Sequence, residues 1–273
     1  MNNEPVATLP KLAIWKIVGE SYSFVWRNKN QLIMLGLIPS LLILLISIYV
    51  DPSTLLQHIS RIFNIKFIEA AKYAAFPIDA LEGGLFALVV TAFSVIWHRQ
   101  FLVNSETQTI KNLFMWHSRQ FKFLYVVIVF GIVGSLVFNS VFITGFMLIS
   151  ESPSLQSSLL QSVGKYQLLK IFASLVVSII VVRWSIMFPS IAVDKPFSFN
   201  QGWRITKGNG FRLFIISILV ILPFYFLVIP IRFIILLGEF PGLELINSLF
   251  FMVTTAVGVS ALSASYRDLC GEA

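Results

Sequence analysis

RWSIMFPSIAVDKPFSFNQGWRITKGNGFR, residues Arg183–Arg212, lies between two long apolar segments and is itself aromatic, basic and amphipathic. Before it, Leu168–Phe188 is almost wholly apolar, and after it Phe211–Ile229 is another such run. A helix rises about 1.5 Å per residue, so about 20 apolar residues cross the roughly 30 Å hydrocarbon of a bilayer. Four further segments meet that requirement: Leu32–Val50, Leu81–Val103, Phe123–Ile149 and Leu245–Ala264. The chain therefore reads as an all-α, polytopic membrane helix bundle of six transmembrane helices, a single membrane domain over residues 1–273. The second span has a short unbroken core, Leu85 to Trp97, and Pro223 and Pro230 should kink the outer half of the fifth.

Composition agrees with lipid as the solvent. The chain is 57% hydrophobic and 12% charged, against about 45–50% and about 25% in soluble domains. A single cysteine, Cys270, excludes an internal disulfide framework and a cysteine metal cluster. The last four residues, Cys270-Gly-Glu-Ala, lack the aliphatic middle pair of a prenylation signal. Leu32–Val50 is too long for a signal-peptide core and has no small-residue cleavage site, so it is expected to remain as a span.

Lys and Arg gather on one side of the expected membrane. That side holds Lys11, Lys16, Arg27 and Lys29 before the first span, and Arg99, Lys111, Arg119 and Lys122 around the second connection. Lys195, Arg204, Lys207 and Arg212 follow in the opening stretch, with Arg267 in the tail. The other side has only Arg61, Lys66, Lys72, Lys165, Lys170 and Arg232. The positive-inside bias then predicts that both termini are cytoplasmic. The net charge of +7 is thereby a topology signal, and a nucleic-acid partner is not needed to explain it.

Each cytoplasmic connection shows helical periodicity, as expected of amphipathic helices lying in the interface. Leu12, Trp15, Gly19, Tyr22 and Trp26 form one such stripe, with Lys16, Glu20, Ser23 and Arg27 turned away from it. Ile110, Leu113, Phe114 and His117 form a second, and Phe199 to Lys207 a third that should stop at Gly208. Capping boxes open two of them, Ser105-x-x-Gln108 and Ser198-x-x-Gln201. On the outer side, Leu56, Ile59, Phe63, Phe67, Ala70 and Ala74 predict a further amphipathic helix.

The corners also recur. Trp26-Arg27, Trp116-His117 and Trp203-Arg204 lie 90 and 87 residues apart, and Arg99, Arg183 and Arg267 lie 84 and 84 apart. The spacing predicts a threefold internal repeat of helix pairs, residues 10–103, 104–193 and 194–269, each led by an interfacial helix.

Catalytic patterns are sparse. His58, His98 and His117 have no metal-ligand spacing, and Gly258-Val-Ser260 lacks the second glycine of a nucleophile elbow. Gly202 to Gly208 does not continue into Lys-Ser/Thr, so it is no phosphate loop. No carboxylate falls deep in a predicted span, Glu82 lying near the outer end of the second. The expectation is a non-catalytic protein without metal or cofactor. Asn139, beside Ser140 and Thr144, reads as interhelical glue, and Ala256, Ser260 and Ala264 as a close-packing ridge. Arg183 is placed either to anchor its span at the interface or to hold a lipid phosphate or an acidic neighbour such as Asp194. Arg204, Lys207 and Arg212, next to Trp203, form a basic patch toward the inner leaflet.

The run from Arg183-Trp-Ser-Ile-Met-Phe-Pro189 to Asp194, followed by Gly202-Trp203-Arg204-Ile-Thr206-Lys207-Gly208-Asn209, resembles the membrane domain of some bacterial glycerophosphodiester phosphodiesterases and related stand-alone inner-membrane proteins. In that group a span ends Arg-x-Ser-x-x-x-Pro-x-x-x-x-acidic and an interfacial helix follows with Ser-Trp-x-Leu-Thr-x-Gly. Gly202 and Ile205 depart from the usual Ser and Leu, and Trp97-His98-Arg99 is similar to stand-alone members. The resemblance implies a bacterial inner membrane and a six-span bundle. It implies no phosphodiesterase activity, because the catalytic barrel alone needs about 250 residues.

The functional expectation is a cytoplasmic collar that organises anionic lipid or a membrane-protein partner. The alternative is a transport component: Gly210 to Pro223 has the Gly-x9-Ile-x-Leu-Pro spacing of permease coupling helices, with Val220 for Ile. The basic Arg204-Ile-Thr start departs from the acidic-alanine start of that motif.

Overall fold

In lipid each backbone N–H must be bonded within its own segment, so long apolar runs become helices. The computed structural model describes residues 10–49, 70–103, 109–150, 159–195, 198–237 and 241–271, and every element in them is helical. The helices are α1 (Ile14–Arg27), α2 (Lys29–Tyr49), α3 (Ala70–Leu102), α4 (Lys111–Phe114) and α5 (Ser118–Ser150). They continue as α6 (Leu159–Trp184), α7 (Met187–Ala192), α8 (Phe199–Ile205), α9 (Gly210–Leu237) and α10 (Pro241–Cys270). Six of them, α2, α3, α5, α6, α9 and α10, are long and apolar enough to cross a membrane. The protein is thus an all-α multi-pass bundle. The expected outer helix over 56–74 and the Ser105–Gln108 capping box lie outside the described residues, apart from the backbone that joins α3 at Ala70.

Neighbour contacts follow the chain around a closed ring: α2 with α3, α3 with α5, α5 with α6, α6 with α9, α9 with α10, and α10 back to α2. The short helices before the odd spans obey one rule. α4 rests on α3, α8 on α6, and α1 on α10, each on the even span that precedes it around the ring. These corners share one end of the bundle with the N- and C-terminal segments, called the basic end below.

The core sits where α3 meets α10. Every residue from Thr91 to Ser94 and from Val95 to His98 is buried, although this is the span with the shortest apolar run. Burial on all sides by protein replaces contact with lipid there. On α10, Ala256, Ser260 and Ala264 are all fully buried, so their small side chains let α2, α3 and α9 approach. Trp97 donates through Nε1 to Ser260 Oγ (3.0 Å), and His98 Nδ1 bonds Ser263 Oγ (2.7 Å). Buried polar groups of this kind cost stability unless paired.

α1 buries Ile17, Ser21, Phe24 and Val25 against protein, while Trp15 and Trp26 of the expected apolar stripe are 75% and 73% exposed. Two sequence expectations change. The interfacial helix before the third span is one turn only, because Met115 is extended and α5 restarts at Ser118. Gln120 closes that break, accepting from His117 N (3.0 Å) and donating to the Met115 carbonyl (3.3 Å). The fourth span does not run unbroken to Phe188: α6 stops at Trp184 and a turn leads into α7. Pro189 lies in the first turn of α7, where its missing N–H costs nothing. α9 continues as helix through both Pro223 and Pro230.

Candidate functional site

The third basic corner is built around Arg183. Ser198 caps α8 by accepting from Gln201 N (3.2 Å), as the sequence led one to expect. The helix ends at Ile205, and Gly208 takes the left-handed backbone (φ +79°) that turns the chain into α9. Thr206 and Lys207 N–H groups satisfy the Gly202 and Arg204 carbonyls at that end, and the Trp203 carbonyl accepts from the Thr206 hydroxyl (3.2 Å) and from Arg183. Its Nη2 donates to the Trp203 carbonyl (2.9 Å) and its Nε to Thr206 Oγ1 (3.2 Å). Its guanidinium lies 3.4 Å from the centroid of the Trp203 ring. Gly210 makes room for this: a Cβ there would stand 3.0 Å from Arg183 Cδ.

Asp194 is not the partner of Arg183. It sits after α7 in the left-handed region (φ +60°), which an aspartate tolerates better than most residues. That turn sends its carboxylate to Arg99 (3.4 Å) and Arg119 (3.1 Å). Arg99 also donates to the Ala192 carbonyl (3.1 Å), so it ties α3 to the end of α7. Ser190 closes the turn by donating to the Lys195 carbonyl (3.1 Å). Sequence reading named Arg99 and Asp194 but missed Arg119, whose distance of 75 residues from Asp194 gave no signal.

Arg267 completes the set. It makes a two-pronged pair with Glu20 (2.7 and 2.8 Å), and it contacts Asp268 (3.1 Å), itself paired with Lys16 (3.2 Å). All three corner arginines therefore work as struts. Arg183 and Arg267 each fasten the end of an even span to a short helix that rests on that span, and Arg99 fastens α3 to α7.

The expected basic patch divides. Arg204 and Lys207 are exposed, and neither side chain has a bonded partner among the described residues. Arg212 instead donates to the Leu12 carbonyl (2.7 Å). Asn209, 1% exposed, joins it there, accepting from Leu12 N (2.9 Å) and donating to the Pro10 carbonyl (2.9 Å). Together they pin the segment before α1 onto the start of α9. Tyr22 adds a further tie, donating to the Val220 carbonyl (2.8 Å), and burial pushes its phenol pKa up.

Asn139 also differs from expectation. It is exposed on α5, and its amide donates back to Ser135 of the same helix, to the carbonyl (2.8 Å) and to Oγ (3.2 Å). It bridges no second helix among the described residues.

Beside the Arg183 corner lies an open cavity of about 780 Å³ that the sequence did not announce. α5 supplies Lys122 and Tyr125, α7 supplies Met187 and Ile191, and Lys195 and Phe199 complete the wall. An aromatic stack backs it: Phe130 meets Phe199 (5.9 Å) and Trp184 (6.2 Å), and Trp184 meets Trp203 (6.2 Å) between ring centroids. Among the described residues no three His, Cys, Asp or Glu gather as a metal site. Comparisons with protein-family models, with curated proteins and with solved structures found no match.

Proposed function

We propose that this is a non-catalytic protein of the bacterial inner membrane whose basic end forms a cytoplasmic collar for anionic lipid, or for a membrane partner that presents similar charge. The observation that carries the reading is the division of labour among the cations. Arg99, Arg183, Arg267 and Arg212 are spent on holding the corners together, whereas Arg204 and Lys207 stand exposed beside the 42% exposed Trp203. An indole at headgroup level with unengaged cations next to it suits an anionic leaflet, at about 1 kcal/mol per cation.

The Lys and Arg asymmetry supports cytoplasmic termini, and the resemblance to bacterial inner-membrane proteins supports the location. Single cysteines introduced as His58→Cys and Asn112→Cys, in a Cys270→Ser background, should label from opposite sides of the membrane. Labelling from one side would end the topological reading.

The experiment for function is isolation in gentle detergent with analysis of the lipid and protein retained. Enrichment of anionic over zwitterionic lipid, reduced by Arg204→Ala with Lys207→Ala, is the expected result. No preference, and no effect of the two substitutions, would overturn the collar. Recovery of a stoichiometric ATPase would favour the alternative of a transport component.

A further inference from the structure

We propose that the cavity between α5, α7 and the start of α8 holds one anionic phospholipid, its phosphate at Lys122 and Lys195 and an acyl chain along the exposed apolar face of α5. This deepens the collar reading and rests on it, by assigning one seated lipid to a defined site.

Depth in the membrane is the first argument. Ser118 begins both α5 and its stretch long and apolar enough to cross a membrane, so Lys122 stands one turn in from the end of that stretch, a position suited to a headgroup phosphate. The volume of about 780 Å³ falls within the roughly 300–1,000 Å³ usual for ligand sites. Its chemistry is divided as an amphiphile requires. Lys122, Lys195, Ser118 and Ser198 line it together with Val126, Met187, Ile191 and Phe199.

Charge is the second. Asp194 also lines the cavity and by itself would repel a phosphate. Its carboxylate is held by Arg99 and Arg119, so the nearby groups sum to a positive field rather than a neutral one. Tyr125, 65% exposed, flanks the opening with a hydroxyl-bearing ring of the kind enriched at headgroup level.

Continuity is the third. Tyr125 lines the cavity, and from it an exposed apolar stripe runs along α5 through Ile128, Ile132 and Leu136. From Tyr125 to Leu136 the helix rises about 16 Å at about 1.5 Å per residue, which is about half of a roughly 30 Å hydrocarbon core. An acyl chain of one leaflet matches that length, and a free phosphate has no use for it.

The test is native mass spectrometry of the full chain released from nanodiscs of one part phosphatidylglycerol to three parts phosphatidylcholine. One retained phosphatidylglycerol is expected in the unaltered protein and in the Arg204→Ala, Lys207→Ala variant. Lys122→Gln should lower its occupancy about fivefold, and Lys122→Glu with Lys195→Glu should abolish it. Both lysines are exposed, and Lys122→Gln removes the charge while keeping a flexible polar side chain, so an unchanged unfolding midpoint is expected for that variant. Retention unchanged by any lysine substitution would overturn the seated lipid while leaving the collar intact. Loss in the Arg204, Lys207 variant alone would place the lipid on the collar instead. Absence of any phosphatidylglycerol preference would remove both readings. Displacement by glycerol 3-phosphate at equal concentration would mean that the acyl chain contributes nothing, and would overturn the phospholipid in favour of a soluble phosphate.

Discussion

The guanidinium of Arg183 lies over the indole of Trp203, 3.4 Å from the ring centroid, while donating to the carbonyl of that same residue. One side chain thus completes the end of α8 and fixes the orientation of the tryptophan beside the exposed cations. A cation over a ring is worth about 0.5–1 kcal/mol at exposed sites. Hydrogen bonds from a charged donor add about 1.5–3 kcal/mol. Arg183→Ala should therefore destabilise the detergent-solubilised protein by about 2–4 kcal/mol. Arg183→Lys should recover little of it, since an ammonium cannot both stack and fork. A double-mutant cycle with Trp203→Ala should show coupling of about 1 kcal/mol. Zero coupling would mean that the two side chains are merely adjacent.

Asp194 offers a separable pair of effects. Its left-handed backbone favours Asn, Asp or Gly, and its carboxylate joins Arg99 and Arg119. Asp194→Asn should lose only the ion pairs, a small cost because the side chain is 57% exposed. Asp194→Ala adds a backbone penalty of about 1 kcal/mol. Equal unfolding midpoints for the two variants would argue against strain in this turn.

At the Arg267 corner, geometry ranks two ion pairs. Glu20 meets Arg267 with both oxygens and is 24% exposed, whereas Lys16, paired with Asp268, is 60% exposed. Glu20→Gln should cost about 1–2 kcal/mol, and Lys16→Ala less than about 0.5 kcal/mol. Measured unfolding free energies in the reverse order would contradict the docking of α1 on α10 through Glu20.

Asn139 provides a negative control inside the membrane. Its amide bonds only to Ser135 of its own helix. Asn139→Leu should leave stability unchanged or raise it, because an apolar side chain replaces a polar one against lipid. A loss above about 1 kcal/mol would show that the amide holds another helix after all.

The six spans were legible because lipid imposes a length and an apolarity that leave little choice. Gly208 and Ser198 were legible for the same kind of reason, as each satisfies a local backbone need. Partnerships were not. Asp194 lies 11 residues from Arg183 but pairs with arginines of α3 and α5, because a left-handed turn redirects it. Which face of α1 would pack on protein was not legible, since its tryptophan stripe and its Ile17–Phe24 face are both apolar, and apolarity does not distinguish lipid from protein. The cavity draws on residues 118–126 and 187–199, a juxtaposition that only tertiary packing creates.

At each of the three corners a short helix rests on the even span before it around the ring, and we propose that these are three copies of one unit. On that proposal, weakening the strut of one corner, as in Arg99→Lys, should loosen α3 from α7 without disturbing α1 or α8. Hydrogen exchange resolved by segment checks this.

The central claim is that Arg204 and Lys207 are the lipid-directed cations of the collar while the corner arginines are structural. The most direct measurement is the anionic lipid fraction around the protein in mixed nanodiscs, for the unaltered chain and for Arg204→Ala with Lys207→Ala. The account predicts enrichment that falls roughly tenfold or more in the variant, at about 1 kcal/mol per cation, with the unfolding midpoint unchanged. Equal enrichment in both, or a variant that unfolds early, would contradict it.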